Sequence, residues 1–407
     1  MAELDQWTAA WSNPVFSLAE RDARWGKVRG LMARDGIDVI VCLPCTNAHG
    51  RGQANARYLT QLGENSDEAT VAFPIDGDVT AWHSRGGVWP SSNWFTDIRA
   101  VPRGMGGATV TAWLKENPHY QNATIAIAGL DTSHLIHVRA GEGEANWQSV
   151  EILKRNFPGA SFVSATNILG EARFRKSSEE IDFLRKATVV AEKTLAAVSS
   201  NGRPGVAERD IYAHMMFANA HAGGGFQPMV GWYSGPNGRA YHRIEQPTSR
   251  ILDAGDALHI ETEGRWGGYI VQLDQTYAVG APLPDQEGAM ALANEAFNRA
   301  LAITRPGTLI RDIIAAATME GLGGRARTKF HGHGRGTGDD GPVAGTGRAE
   351  PDEVLNLALE EGCCMAFKPS TIYDGIPNYA CWGDAVIVTA TGAERLGTRA
   401  QELPILA

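Results

Sequence analysis

The distribution of apolar and polar residues predicts alternating helices and strands in the first part of the chain. Apolar residues recur at helical spacing over residues 17–35, and Gly36 follows as a C-terminal cap. The apolar side of this predicted helix carries Leu18, Ala23, Val28 and Leu31. Further runs predict strands over 37–43, 124–129 and 160–165, helices over 110–117 and 145–156, and a hairpin turning at Asp76-Gly77. Strands that alternate with helices indicate an α/β domain with a partly parallel sheet.

The pattern changes near residues 168–176, where a second domain is predicted to begin. Ser177 and Glu180 have the spacing of a capping box, and a long run of good helix formers follows them. Later apolar patterns predict helices over 206–222, 285–304 and 310–319 and strands over 226–232, 363–369 and 379–389. Long helices over a mainly antiparallel sheet are typical of an α+β domain. We therefore divide the chain into residues 1–170 and 171–407.

The segment 255–280 predicts a hairpin whose two arms carry polar side chains. A glycine-rich stretch, Gly264–Gly268, separates two runs of β-branched and aromatic residues. Because strand side chains alternate with a period of two, each arm presents one polar face. These faces carry His259, Glu261 and Glu263 on the first arm and Ile270, Gln272, Asp274 and Thr276 on the second. The mostly apolar flanks indicate that the hairpin is buried and that its acids have a function.

Composition is typical of a globular protein and excludes some classes of partner. The 407 residues suffice for two or three domains, and 43% hydrophobic with 20% charged residues is ordinary for a globular chain. A net charge of −9 without a basic run argues against nucleic acid. The sequence shows neither a leader-like start nor the roughly 20 apolar residues of a membrane helix. We expect a cytoplasmic protein with no nucleic-acid or membrane partner.

The five cysteines predict free thiols in a reducing compartment, because their number is odd and low. Cys42 and Cys45 form C-L-P-C after a predicted strand, a spacing shared by redox pairs and zinc half-sites. No second pair at zinc spacing follows. We interpret these two as small buried residues at a strand end.

The hairpin resembles the central hairpin of the pita-bread superfamily, which holds methionine aminopeptidase, prolidase, aminopeptidase P and creatinase. The superfamily's peptidases have D-x-G-x(4)-G-Y-x-x-D-x-T-R-T there, and both Asp residues bind a metal pair. F-H-G-H-G-R-G at 330–336, K-P at 368–369 and G-D-A-V-I-V-T at 383–389 extend the resemblance over nearly the whole chain. It implies an α/β N-terminal domain and an α+β pita-bread catalytic domain. With Gly268-Tyr269 and Thr276 as anchors, the five metal-ligand positions fall on Glu261, Gln272, His333, Lys368 and Gly383.

These five residues lack the donors of a dinuclear metal site, which needs several bridging carboxylates. Lys368 departs most from the pattern, since its charge lies where the superfamily holds a metal ion. We expect it to pair with Glu261 or with an anionic group of the substrate. We expect no metal and no other cofactor.

Creatinase is the superfamily's metal-free example, with a histidine as acid/base, and the resemblance carries this role to His242 in A-Y-H-R. A creatinase glutamate matches Asp274. The site residues so predicted are His242, Glu261, Asp274 and His333 for catalysis and Lys368, Gln272, Tyr269 and Trp232 for substrate binding. Lys368 disfavours creatine itself, because a buried guanidinium would meet a like charge there.

The leading interpretation is a creatinase-like, metal-independent hydrolase that cleaves a C–N bond of a small molecule, with an anionic substrate favoured. A lyase that removes a proton through His242 or Asp274 stays open, as do an Xaa-Pro metallopeptidase with altered ligands and a non-catalytic binding protein. The resemblance also implies a homodimer in which the N-terminal domain covers the partner's site. Exposed aromatic side chains, Trp89, Trp94 and Trp232, are candidates for that cover.

Overall fold

The computed structural model describes residues 15–45, 53–62, 69–83, 94–100, 105–133, 135, 143–225, 228–236 and 247–407. Contacts divide the chain into two compact units. One consists of Met1–Phe174 with Thr337–Asp340, and the other of Arg175–Gly336 with Gly341–Ala407. Among the helices in these ranges, none combines the length and the apolar composition needed to cross a membrane.

The first unit is an α/β layer structure built on one mixed sheet. Its elements are α1 (Leu18–Asp35), β1 (Val39–Cys42), α2 (Ala54–Thr60), β2 (Thr70–Pro74), β3 (Thr80–His83), β4 (Asp97–Ala100), α3 (Gly106–Glu116), β5 (Thr124–Ile127), α4 (Trp147–Asn156), β6 (Ser161–Ser164) and α5 (Thr166–Phe174). The strands lie in the order β4-β3-β2-β1-β5-β6. β1 pairs antiparallel with β2 and parallel with β5. The predicted α/β domain with a partly parallel sheet is confirmed.

Helices α3 and α4 cover this sheet with large apolar side chains. Trp113, Leu153 and Phe157 belong to one buried cluster with Val41 of β1 and Ile127 of β5. Burial of each such side chain stabilises the unit by about 1.5–3 kcal/mol. This cluster joins the region of helices α3 and α4 to strands β1 and β5 of the sheet.

Helix α1 buries a different side from the predicted one. Leu18 is 47% exposed. The buried row is Glu20, Arg24, Val28 and Met32. Arg24 Nε donates to Glu20 Oε1 at 2.6 Å, and its guanidinium lies 4.2 Å from the ring centroid of Phe16. A paired charge stacked on an aromatic ring can be buried, whereas a hydropathy pattern assigns every charge to solvent.

Two of the three tryptophans predicted to be exposed are buried within their own units. Trp94 is 1% exposed, and its Nε1 donates to Phe16 O at 3.1 Å. Trp232 is fully buried. Trp89 lies outside the described residues. The two buried rings are unavailable for covering a partner's site, and the homodimer stays a prediction.

The predicted division after residue 170 falls inside helix α5, whose last residue, Phe174, closes the first unit. Arg173 of this helix is buried and pairs with Asp340, so the short segment Thr337–Asp340 belongs to the same unit. A pairing this distant in sequence leaves no local signal. The boundary of the two domains as functional parts stays a prediction.

The second unit has long helices beside a mainly antiparallel sheet, as an α+β domain does. Its elements are α6 (Ser178–Asn201), α7 (Glu208–His221), β7 (Val230–Pro236), β8 (Asp256–Trp266), β9 (Tyr269–Val279), α8 (Gln286–Ile303), α9 (Ile310–Ala316), β10 (Glu320–Gly321), β11 (Ala326–Gly334), β12 (Val343–Gly345), α10 (Asp352–Leu355), β13 (Cys364–Tyr373), β14 (Ile376–Val388), β15 (Ala393–Arg395) and β16 (Ile405–Leu406). The main path of the sheet runs β10-β11-β13-β14-β9-β8-β7. The predicted capping box at Ser177 and Glu180 begins α6.

The arms of the central hairpin are longer, and its turn is tighter, than predicted. Trp266 pairs with Tyr269, which leaves a turn of Gly267 and Gly268 with φ of 54° and 81°. Both angles require the left-handed region that glycine adopts without strain. Gly264 lies inside β8 instead, where a Cβ would overlap a carbonyl oxygen of helix α6. Glycine at this position therefore serves close packing of helix on strand.

Asp384 on β14 is a buried acid away from solvent. Its Oδ1 accepts from Ala385 N at 2.8 Å, and Arg395 Nε lies 3.6 Å from its Oδ2. Burial raises the pKa of Asp384 to about 6, although Arg399 and Arg395 act in the opposite direction. Folding therefore favours the protonated carboxyl, and this acid opposes folding once it is ionised.

We expect Asp384→Asn to gain stability relative to wild type as the pH rises from about 4 to about 8. The folded pKa lies above the unfolded value, so the wild-type chain loses this contribution as pH rises through about 6. A shift of about two pKa units corresponds to on the order of 2–3 kcal/mol. Urea unfolding of both proteins across this pH range measures it, with the exposed Asp182→Asn as control. A stability difference that does not change with pH would contradict the expectation.

Candidate active site

Neighbouring strands of the second unit turn polar side chains to one face of the sheet. Glu261 lies opposite Asp274, and Glu263 lies opposite Gln272. Residues directly opposite on antiparallel strands share a face, and the registers of β7, β14, β13 and β11 extend it. The face carries Tyr233, His259, Glu261, Glu263, Gln272, Asp274, Thr276, Lys368, His331 and His333. The structure thus brings together five predicted site residues: Glu261, Gln272, Asp274, His333 and Lys368.

An ammonium group occupies the centre of this face. Lys368 Nζ donates to Glu261 Oε1 at 2.7 Å and to Gln272 Oε1 at 3.2 Å. Gln272 Nε2 donates to the same Glu261 oxygen. Lys368 is only 7% exposed, so its charge depends on these partners. Of the two partners expected from the sequence, Glu261 is the one present in the structure.

Arg335 adds a second buried cation that sequence reasoning missed. It is fully buried, its Nη2 donates to Gln272 Oε1, and its Nη1 lies 3.7 Å from Glu263 Oε1. Glu263 also pairs with Arg265 at 2.7 Å. The only sequence signal for Arg335 was its place in the glycine-flanked histidine segment. Two cations now converge on one amide oxygen, that of Gln272.

His333 is held as a neutral imidazole. Burial lowers its pKa well below the ordinary value, and the nearby Arg335, Lys368 and His331 lower it further. Its Nδ1 lies 3.3 Å from Gly334 O. A neutral ring with one nitrogen at a carbonyl can accept a proton at the other nitrogen.

His259 has an unusual setting; strand alternation predicts it on this face, and sequence analysis assigns it no role. Its ring stacks on Tyr233, with centroids 5.0 Å apart and planes 18° apart. Its Nε2 lies 3.8 Å from Asp274 Oδ2. Burial disfavours its charged form, but Cys381 and Asp274 outweigh burial and raise the pKa of His259 well above its ordinary value.

Two predicted substrate-binding residues lie on the opposite face. Tyr269 is buried, and its hydroxyl donates to Glu180 Oε1 at 2.6 Å, which ties the hairpin to the start of helix α6. Trp232 pairs with Ile260, so it points away from the face that its neighbour Tyr233 shares with His259. Both predictions are wrong because strand alternation directs these side chains to the helix side. His242 lies outside the described residues.

The side chains present do not fit the metal pair of the superfamily. Within the described ranges no group of three or more His, Cys, Asp or Glu could hold a metal ion. A Cβ at Gly383 would lie 2.9 Å from both Lys368 Cγ and Phe367 O, so the lysine stem and the strand backbone leave no room for a side chain at this position. An ammonium inside the donor set repels a divalent cation.

We expect Lys368→Met to destabilise the fold by about 3–5 kcal/mol, because it leaves Glu261 buried without its cation. Adding Glu261→Gln should recover most of that loss. Urea unfolding of the two single variants and the double variant measures the coupling. Lys329→Met, at an exposed lysine of β11, is the control. Additive effects of the two substitutions would show that the pair contributes nothing.

Comparisons with known proteins find similar sequences among peptidases. The model of metallopeptidase family M24 matches residues 182–390. The probable dipeptidase PepE of Mycobacterium tuberculosis is 29% identical over 253 residues, 60% of this chain and 64% of the relative. The match therefore spans less than two thirds of that relative. The Xaa-Pro dipeptidase of Pyrococcus furiosus is 24% identical over 270 residues, 64% of this chain and 74% of the relative.

Solved structures show the same fold. The dipeptidase PepE of Mycobacterium ulcerans has a TM-score of 0.69 at 21% identity, covering 97% of this chain and 100% of its own. The Xaa-Pro dipeptidase of Bacillus anthracis has 0.69 at 19%, covering 95% and 100%. The predicted fold class, an α/β domain followed by a pita-bread domain, is confirmed. Because the family model covers just over half of the 407 residues, the chain belongs to metallopeptidase family M24 of the pita-bread superfamily.

Proposed function

We propose that this chain is a metal-independent hydrolase that cleaves a C–N bond of a small molecule or short peptide with an anionic group. The observation that carries the proposal is the Lys368 ammonium, 2.7 Å from Glu261 and 3.2 Å from Gln272. Its positive charge lies where the superfamily's peptidases bind a metal ion. Membership of a hydrolase family supports the reaction class, and a peptide bond is itself a C–N bond.

Lys368 and Arg335 support an anionic substrate. The third N–H of the Lys368 ammonium has no partner among the described residues. Arg335 Nη2 donates to the same amide oxygen of Gln272. A substrate carboxylate at this amide would meet two cations, and charge-assisted hydrogen bonds are roughly twice as strong as neutral ones.

The acid/base chemistry is proposed to use the remaining groups of the face. His333, neutral at physiological pH, can accept a proton from water or return one to the leaving nitrogen. Glu261 and Asp274 lie opposite each other and carry the negative charge that orients such groups. His242 keeps the acid/base role that the resemblance implies, as a prediction.

A metallopeptidase is the second candidate, because the relatives are named dipeptidase and Xaa-Pro dipeptidase. The donor set argues against it, since a metal would have to displace Lys368. A lyase stays a third candidate. Only hydrolysis incorporates oxygen from the solvent into a product, so heavy-oxygen water separates the two reaction types.

The test is turnover of metal-stripped protein. We expect hydrolysis without added metal in a panel of dipeptides, including Xaa-Pro, N-acyl amino acids, amidines and cyclic ureas. Products should carry heavy oxygen from solvent, and less than one divalent ion should be found per chain. For the substrate found, capping its anionic group should raise KM at least about tenfold, which corresponds to a loss of about 1.4 kcal/mol of binding free energy. Activity that is lost to chelator and restored by Mn²⁺ or Co²⁺ would replace this proposal with the metallopeptidase.

A further inference from the structure

A cavity of about 490 Å³ opens on the second unit, outside the site described above. Sites for small molecules commonly have volumes of about 300–1,000 Å³. The walls come from the start of helix α6, the turn before β13, and the end of β14 with the residues that follow it. No residue of the face that carries Lys368 and Glu261 lines this cavity. It is therefore a second candidate site of this unit.

Backbone hydrogen bonds hold the walls of the cavity together. Lys176 N donates to Gly362 O at 2.9 Å, and Gly362 N donates to Val388 O at 2.9 Å. Gly362 has a φ of 84°, and a Cβ there would lie 2.7 Å from Lys176 O, so this contact requires glycine. The fold itself thus forms the cavity, and ligand sites are usually pre-formed in this way.

One wall of the cavity is a row of side chains along helix α6. Ser178, Ile181 and Arg185 follow one another at spacings of three and four residues, so they share one face of the helix. Ile387 and Val388 at the end of β14 add apolar lining. Ser178 and Arg185 lie about 10 Å apart along the helix axis, at about 1.5 Å per residue. The cavity is therefore elongated, with an apolar middle.

A guanidinium lies at one end of this row. The Arg185 side chain is 44% exposed, and its Nη2 pairs with Glu394. Within the described residues this is its only ion pair, whereas a guanidinium has five N–H donors. An exposed ion pair of this kind is weak. Arg185 can therefore receive a ligand carboxylate, which a guanidinium binds through two parallel hydrogen bonds.

A carboxylate lies near the other end of the row. Glu361 directly precedes Gly362, whose carbonyl accepts from Lys176 just before α6 begins. Among the residues that the structure describes, none forms a hydrogen bond or an ion pair with the Glu361 side chain. Arg175, a cation of the same lining, pairs with Glu360 at 3.1 Å, and Lys176 is only 6% exposed. The Glu361 carboxylate is therefore available to an ammonium group of a ligand.

We propose that this cavity binds a short free peptide, about three residues long. The peptide carboxylate pairs with Arg185, the ammonium pairs with Glu361, and an apolar side chain packs against Ile181 and Ile387. An extended peptide spans about 3.3–3.6 Å per residue, so about three residues bridge the distance along the helix. A single amino acid carries both charges on one carbon atom and is too short to reach both ends. The proposal does not depend on the reaction proposed above.

The probe is the tripeptide glycyl-p-benzoylphenylalanyl-alanine, whose middle side chain cross-links to neighbouring C–H bonds under ultraviolet light. On the wild-type chain, digestion and mass spectrometry should place the label within residues 178–185 or 387–390. An excess of alanyl-leucyl-alanine should displace the probe. Its N-acetylated and C-amidated forms should require at least about tenfold higher concentrations, because each lacks one charge-assisted pairing.

Two variants test the charged ends of the cavity separately. Arg185→Gln should lose the preference for the free carboxylate over the amide and keep the preference for the free amino terminus. Glu361→Gln should show the reverse. Both side chains are exposed, so the variants should fold as wild type does. Arg311→Gln and Glu353→Gln, at exposed charges that do not line the cavity, are matched controls and should keep both preferences.

A wild-type chain with no label within residues 178–185 or 387–390 would overturn the proposal, and this result needs no variant. Capped peptides that compete as well as the free peptide would overturn it too, as would unchanged preferences in either variant. The position of the label does not depend on whether the chain hydrolyses peptides. This proposal and the hydrolase proposal therefore fail separately.

Discussion

The buried ion pair between Lys368 and Glu261 is the constraint on which the site depends. Two opposite charges at 2.7 Å can stay buried only with their remaining hydrogen-bonding groups satisfied. Gln272 serves both partners, and Arg335 and Glu263 continue the network. These ion pairs and hydrogen bonds join β8, β9 and β13 to the segment that follows β11. In a metallopeptidase a bound metal ion links the strands of this face. In this chain the Lys368 side chain links them.

Much of the second unit could be predicted from local signals. The capping box of α6, the paired arms of the hairpin and the two late strands all follow from residue type and periodicity. Glu261, Gln272 and Asp274 were placed on one face because strand alternation is a local rule. The positions of His333 and Lys368 in the site follow from the resemblance to family motifs. Periodicity alone carries no information about contacts between segments that are distant in sequence.

The errors have a common physical origin in tertiary structure. Trp232 and Tyr269 are predicted to bind substrate, but the face on which a strand residue lies relative to its neighbours depends on the strand register. Arg24 and Arg335 are buried charges, and their partners are fixed only once the chain has folded. Gly264 is predicted as part of a turn, but it lies inside β8, where helix α6 leaves no room for a side chain. That helix is distant in sequence, so no short stretch around Gly264 reveals the contact.

The space shared by Lys368 and Gly383 has an evolutionary consequence. A Cβ at 383 would lie 2.9 Å from Lys368 Cγ and 2.9 Å from Phe367 O, so the lysine stem and the strand backbone both oppose a side chain there. The two positions are therefore coupled: a side chain at 383 requires both a shorter side chain at 368 and a shift of the neighbouring strand. Among relatives of this chain, lysine at 368 should therefore occur together with glycine at 383.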